Sequence, residues 1–276
     1  MTAGRVPVGP VPAGPVPVGP RLRQPCNGRI TRPTDRVGDV MGARERGLVG
    51  TQWPALTLLG QLPEPALGAL LDLGTTASFP AGRRIMRLGE FGQTTYLLLR
   101  GCVKVLGNEG GREPLLGIRV GGDLVGEMAV LSRLPRSATI STCSEVSAKK
   151  IPGQDLLAFL ANHPEAMIAV ASAISQRLRW ANDRRVDFAA LDARTRICRV
   201  LLTLAQTYGH DTNGGRDLGA PLTQDEIASM AGVRLATAEK ALRAFAAAGL
   251  VRLGYRSITV LDMRRLHIEA KQAGCS

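Results

Sequence analysis

Gly121-Gly122-Asp123-Leu124-Val125-Gly126-Glu127-Met128-Ala129-Val130-Leu131, followed after Ser132-Arg133-Leu134 by Pro135-Arg136-Ser137-Ala138-Thr139, is the most informative stretch of this chain. Gly126 permits close backbone approach, and the residues after it open a short helix whose free amides can face an anion. Arg136 supplies a planar fork matched to phosphate oxygens, with the Ser137 hydroxyl as a donor beside it. Glu127 accepts hydrogen bonds of the kind a ribose hydroxyl donates. Together these groups form a small cradle for a sugar phosphate. An Arg–Glu ion pair on a loop is the competing reading of the same residues.

Upstream of this stretch, brief apolar runs alternate with glycine: Arg84–Leu88, Tyr96–Leu99, Val103–Leu106 and Leu115–Val120, separated by Gly89, Gly92, Gly101, Gly110-Gly111 and Gly121-Gly122. Short strands at this spacing with glycine turns predict a compact antiparallel barrel or sandwich. Leu56, Leu59, Leu62, Leu67, Leu70 and Leu71 predict short helices ahead of it. Downstream of Ile151 the period changes. Met167, Ala171, Ile174, Leu178, Ala181, Arg185 and Phe188 recur at spacings of four and three, with no glycine or proline in 165–191. That is a heptad seam on one long helix, suited to a partner helix or to lying on its own domain.

Nearer the C-terminus, Thr223-Gln224-Asp225-Glu226 has the pattern of a capping box, and Ile227, Ala228, Met230 and Ala231 continue it as a short helix ended by Gly232. A second helix runs from Arg234 or Leu235 to Ala247, closed by Gly249, with Ala238, Ala241, Leu242 and Phe245 as its buried side. Leu250–Arg252 and Ser257–Val260 then read as a β-hairpin wing. Two helices joined by a tight glycine turn and followed by a wing predict a unit whose second helix enters the major groove of DNA. Arg234, Thr237, Lys240 and Arg243 occupy its polar side, with Thr223 and Gln224 at the start of the first helix. A bare helical hairpin is the alternative.

Composition bounds these readings. The chain has 276 residues, 35 Lys and Arg against 23 Asp and Glu, and a formal net charge of +12, a balance that favours an anionic partner such as nucleic acid. No window approaches eighteen consecutive apolar residues, so no membrane span is expected. Five scattered cysteines (Cys26, Cys102, Cys143, Cys198, Cys275) and three histidines offer no metal-ligand spacing, so neither a metal site nor a catalytic cofactor is expected. Unpaired thiols in a reducing, cytoplasmic setting are the expectation. No nucleophile–base set proposes catalysis, and the chain reads as a non-enzyme. At the other end, Val6–Pro20 repeats a Val-Pro-Xaa-Gly-Pro phrase, and residues 1–50 carry eight Arg and three acids. This leader reads as disordered and dispensable, or as the product of a start placed ahead of Met41, rather than as a DNA-binding tail.

The segment quoted first resembles the phosphate-binding cassette of cyclic-nucleotide-binding domains. Arg87-Leu88-Gly89-Glu90 and Tyr96–Gly101 resemble the β-roll hairpins of that family. With the C-terminal unit, residues 55–265 resemble the cAMP receptor protein/fumarate–nitrate regulator (CRP/FNR) family of bacterial transcription factors. The resemblance implies that cassette amides with Arg136 and Ser137 hold a cyclic phosphate, while Glu127 takes the ribose hydroxyl. It places Gly126, Glu127, Met128, Arg136, Ser137, Arg177 and Asn182 in the nucleotide site. Where cAMP-responsive members carry a Thr-Ser pair that contacts adenine across both subunits, this chain has Ala181-Asn182. Where the best-known members carry Arg-Glu and a later Arg on the DNA-reading helix, it has Leu235-Ala236 and Lys240. Of the N-terminal cysteine cluster that holds iron–sulfur in one branch, only Cys26 stands here.

The expected fold is α+β: a leader over 1–50, a cyclic-nucleotide-binding β-roll (a double-stranded β-helix) over 51–164, a dimerisation helix over 165–191, and a winged helix-turn-helix over 192–276. The expected function is a homodimeric transcription regulator binding double-stranded DNA under control of cAMP or another cyclic mononucleotide, with RNA polymerase as a further partner. Two alternatives stand beside it: a regulator of the same fold without ligand control, and a cyclic-nucleotide sensor acting on a protein partner.

Overall fold

The computed structural model describes residues 53–271, so the leader reading over 1–50 lies outside the described residues. Two short helices, α1 (Leu58–Gln61) and α2 (Glu64–Leu71), precede eight strands. These are β1 (Thr75–Phe79), β2 (Arg84–Met86), β3 (Thr94–Arg100), β4 (Cys102–Leu106), β5 (Leu115–Val120), β6 (Leu124–Val125), β7 (Thr139–Thr142) and β8 (Val146–Pro152). They form two four-stranded antiparallel sheets, ordered β1-β8-β3-β6 and β2-β7-β4-β5. Met86, Leu98, Val103, Val125, Ile140, Val146 and Ala148 fill the space between them, with Phe79 edge-on to Tyr96 at 5.4 Å. This is the predicted α+β fold with its β-roll, and the four strand runs read from the sequence are β2 to β5. The strands not anticipated are β1, β6, β7 and β8, which are short, weakly apolar or, in seven-residue β8, interrupted by Lys149-Lys150. β6 has two residues, and β1 buries little.

Between β6 and β7 lies helix α3 (Glu127–Ser132), and after β8 come α4 (Gly153–Asn162) and the 27-residue α5 (Pro164–Ala190). Proline at the first position of α5 fits where the amide has no helical partner. Ala166, Ala169, Val170 and Ala173, at spacings of three and four, face the body of the protein. The heptad seam points elsewhere: Met167, Ala171, Leu178, Ala181 and Arg185 are exposed and Ile174 half-buried. One helix thus does both things the sequence left open, packing inward through small residues and presenting an apolar seam outward.

Helix α6 (Ala193–Thr207) begins at Asp192, whose carboxylate accepts from the Thr195 amide at 3.0 Å and is held below the usual carboxylate range by that bond. Then follow a hairpin, β9 (His210–Thr212) and β10 (Gly215–Asp217), helices α7 (Gln224–Ala231) and α8 (Leu235–Ala247), the strands β11 (Val251–Gly254) and β12 (Ser257–Val260), and α9 (Met263–Glu269). The last four strands make one antiparallel sheet, β11-β12-β10-β9. The β9–β10 hairpin escaped the sequence reading because its residues are polar and short. Leu115, Ile118 and Val120 of β5 belong to the same buried cluster as the core of α6, α7 and α8, so the apolar interior runs from the sandwich into the C-terminal helices.

One expectation needs correcting. Cys102 and Cys143 are not free thiols but a disulfide, Cα–Cα 5.7 Å, closing a separation of 41 residues. The β4–β7 register pairs Val103 with Thr142, so the two cysteines are the next pair along. The Cys143 amide donates to the Cys102 carbonyl at 3.0 Å. Sequence spacing carries no trace of this register. Cys198 is buried and unpaired, its thiol pushed up to about 12 by burial, while Cys26 and Cys275 lie outside the described residues. Among the described residues no group of His, Cys, Asp and Glu is arranged to hold a metal, and no single helix is long and apolar enough to cross a membrane.

Candidate functional site

At the turn from β6 into α3, Gly126 adopts φ 85°, a left-handed conformation that a side chain would strain. A Cβ there would also come within 2.5 Å of Met86 Cε and 2.6 Å of Arg136 Nη1. The backbone angle therefore calls for glycine, and any side chain there would also have to displace the ends of Met86 and Arg136. Arg136 is buried, its Nη1 donating to the Gly126 carbonyl at 2.9 Å and its Nη2 to the Thr94 carbonyl at 2.5 Å. Burial lowers its pKa from the ordinary arginine value, against the opposing pull of Tyr96, Glu127 and Glu90. Ser137 is exposed next to it, its hydroxyl 3.9 Å from Met128 Sδ.

Glu127, 4% exposed, is ion-paired with Nη1 of Arg177 from α5. Arg177 also donates to the Leu124 carbonyl at 3.2 Å and lies 3.5 Å from Asp123. Burial pulls the Arg177 pKa down, but the Glu127 and Asp123 carboxylates outweigh it and hold the guanidinium above its usual value. Burial raises the Asp123 carboxyl, against the pull of Arg177 and Arg119. Gly126, Glu127, Met128, Arg136, Ser137 and Arg177 line one cavity of about 60 Å³. Six of the seven residues assigned to the nucleotide site are thus brought together. The seventh, Asn182, is not: it is exposed and does not line the cavity. Five residues beyond Arg177, it sits roughly 140° further round the helix. The Arg–Glu ion pair that competed with the cradle reading exists, but Glu127 takes its arginine from α5 rather than from the cassette.

The second candidate surface is helix α8. Ala238, Ala241, Leu242 and Phe245 are buried, and Arg234, Thr237, Lys240 and Arg243 are all exposed. Three-residue steps place successive members about 60° apart, in a stripe winding over about 13 Å of helix. Arg234 is the N-cap and makes no side-chain cap bond. In α7 the capping box is complete: Thr223 Oγ1 accepts from the Glu226 amide at 3.2 Å, and Glu226 Oε2 from the Thr223 amide at 2.9 Å. Thr223 and Gln224 are half-buried. Gly232 ends the helix at φ 61°, with Phe188 of α5 packed where its Cβ would be.

Several working residues went unread in the sequence. The Lys104 ammonium of β4 is ion-paired with Oε1 of Glu226, the carboxylate of the capping box. The Leu115 amide donates to Ser229 Oγ at 3.0 Å, Tyr208 donates its hydroxyl to the Ile118 carbonyl at 2.9 Å, and Arg184 donates to the Leu116 carbonyl at 3.2 Å. Strand β5 therefore bonds α5, the C-cap of α6 and α7 along its length, and its Arg119 lines the cavity. A lysine and an arginine inside apolar strands were the available signal. Lys104→Met and Glu226→Gln, made singly and together, are expected to show an interaction energy of about 1–3 kcal/mol in urea unfolding. Gln can keep the capping box, so additive losses would mean that the ion pair contributes nothing.

A sandwich with a small arginine-lined cavity, joined through a long helix to a winged helix-turn-helix, has the architecture of a DNA-binding transcription regulator with a small-molecule-binding domain. Residues 76–163 match the cyclic nucleotide-binding domain family and residues 195–267 the Crp-like helix-turn-helix domain family. The chain belongs to the CRP/FNR family of transcription regulators. It is 33% identical over 208 residues to the CRP-like cAMP-activated global transcriptional regulator of Mycobacterium tuberculosis, covering 75% of this chain and 92% of that protein. It is 32% identical over 189 residues to the cyclic AMP receptor protein of Thermus thermophilus, covering 67% of this chain and 82% of that one. A solved transcriptional regulator of the CRP/FNR family from Thermus thermophilus superposes with a TM-score of 0.59 at 27% identity, covering 72% of this chain and 100% of the other. Relatives of this kind are transcription regulators, which are not enzymes.

Proposed function

We propose that this protein is a homodimeric regulator, acting in the cytoplasm, whose DNA affinity is set by a cyclic mononucleotide such as cAMP and whose DNA-bound form engages RNA polymerase. The observation that carries the reading is the cradle: a buried arginine fork, a left-handed glycine and a buried glutamate facing one cavity. Arg136 and Ser137 would hold the cyclic phosphate and Glu127 the ribose hydroxyl. The relatives described as cAMP-activated support that ligand class. Ligand acts only by binding the DNA-competent arrangement more tightly than the other. The domain boundaries that accompany this reading are 51–164, 165–191 and 192–276.

A regulator of the same fold without ligand control is the second reading. It is favoured by the cavity's volume of about 60 Å³, against roughly 300–1,000 Å³ in ordinary ligand pockets, and by the two carbonyls that already engage Arg136. Under the first reading the walls must part to admit a nucleotide. Titration calorimetry with cyclic nucleotides separates the two, because heat of binding at micromolar protein excludes the second.

On DNA, α8 is proposed to lie in the major groove with Arg234, Thr237, Lys240 and Arg243 nearest the duplex and Thr223 and Gln224 near phosphates. Two such helices in a symmetric dimer read an inverted repeat with half-sites about one helical turn apart. Lys240→Ala is expected to cost about 1–3 kcal/mol and to relax specificity at one symmetric pair of positions. Selection of bound sites from a random duplex pool, repeated with the variant, measures both. No two-fold motif, with or without cyclic nucleotide, would sink the operator reading.

A further inference from the structure

We propose that Arg119 reads the base of the bound nucleotide and biases the site toward a purine with an oxygen at C6, the guanine type. This rests on the cyclic-nucleotide reading above and adds the determinant that reading lacks. Within one chain Asn182 stands away from the cavity, and Ala181 has no polar group to offer a base.

Arg119 is the third guanidinium at the cavity, with Arg136 and Arg177, and the other two are committed. Arg177 is paired with Glu127 and Asp123, and Arg136 sits on the glycine turn, where it would hold the phosphate. Arg119 makes no ion pair among the described residues. One nitrogen donates to the Ile118 carbonyl at 2.6 Å, and the guanidinium is also hydrogen-bonded to the Tyr208 phenol. It also lines a second cavity of about 110 Å³ with Asp123, Arg177, Trp180 and Tyr208, so its fork lies between the two spaces. Gly117 gives this position room. A Cβ there would come within 3.2 Å of both the Arg119 guanidinium and the Trp180 ring, so glycine spares both groups a shift of a few tenths of an ångström.

A guanidinium offers only donors. Guanine presents two acceptors, O6 and N7, on one edge, which a planar fork fills with two bonds. Adenine presents N7 beside an amino group whose hydrogens oppose the second N–H. Arg119 therefore favours the 6-oxo purine, and the 2-amino group of guanine plays no part.

Binding of cAMP, cGMP and the hypoxanthine analogue cIMP to the full chain, to Arg119→Leu and to Arg119→Lys tests this by calorimetry. Wild type is expected to bind cGMP and cIMP at least as tightly as cAMP. Both variants are expected to lose about tenfold or more for the 6-oxo nucleotides relative to cAMP. Arg119→Lys keeps the charge beside Asp123 and Tyr208, so it reports on the fork if the leucine variant melts early. An unchanged ratio in both folded variants, or a wild-type preference for cAMP beyond tenfold, overturns the base-reading role and leaves the cyclic-nucleotide reading standing. A wild type that binds none of the three overturns both.

Discussion

Arg136→Ala is expected to weaken cyclic-nucleotide binding by about 1.5–3 kcal/mol, roughly ten- to a hundredfold or more. The side chain would supply a charge-assisted, two-pronged contact to the phosphate, and alanine supplies nothing. The same change removes two hydrogen bonds inside the protein, to the carbonyls of Gly126 and Thr94. Part of any loss could then arise from a displaced glycine turn. Arg136→Lys separates the effects, since it retains the charge but not the fork. If the alanine variant folds and binds with wild-type affinity, the cassette reading falls, because Arg136 is the one guanidinium that the cassette itself brings to the cavity.

Replacing both Ile174 and Leu178 with lysine is expected to convert the protein to monomers by light scattering. The seam on α5 is already solvent-facing in the single chain; Leu178 is 60% exposed. Ile174 is half-buried, so Leu178→Lys alone is the control in which thermal stability of the subunit should change little. DNA affinity should fall much further. Two half-sites bound by tethered modules gain on the order of 10²–10⁴ over one, and monomers forfeit that factor. An unchanged dimer would move the interface to another surface.

Which parts of the molecule were legible beforehand follows from the range of the interactions involved. Helices α7 and α8 were legible because their signals are local: Thr223 and Glu226 are three residues apart, and Gly232 closes the helix they open. The cradle was legible for a similar reason, since Gly126, Glu127, Arg136 and Ser137 span a dozen residues. Arg177 was placed only by resemblance, being fifty residues from the glutamate it pairs with. Cys102 and Cys143 meet through strand register, and Lys104 meets Glu226 across 122 residues. Neither pairing leaves a periodicity or a spacing to detect. Arg119 differs again. It was visible as a charge within Leu115–Val120, but nothing in the strand indicated that Gly117 clears a place for it.

Strand β5 touches the cavity through Arg119 and the helix-turn-helix through Leu115, so the two ends of the molecule share one structural member. Thermodynamics then makes their relation reciprocal. Whatever factor a nucleotide adds to affinity for the operator, the operator must add to affinity for the nucleotide. A titration of ligand into protein already saturated with duplex therefore measures the same quantity as a gel shift with and without ligand. Inside a cell, chains parked on their sites would hold ligand more tenaciously than chains free of DNA. A falling signal would empty the unbound population first, and the DNA-bound chains would stay loaded at ligand levels that leave free chains mostly empty.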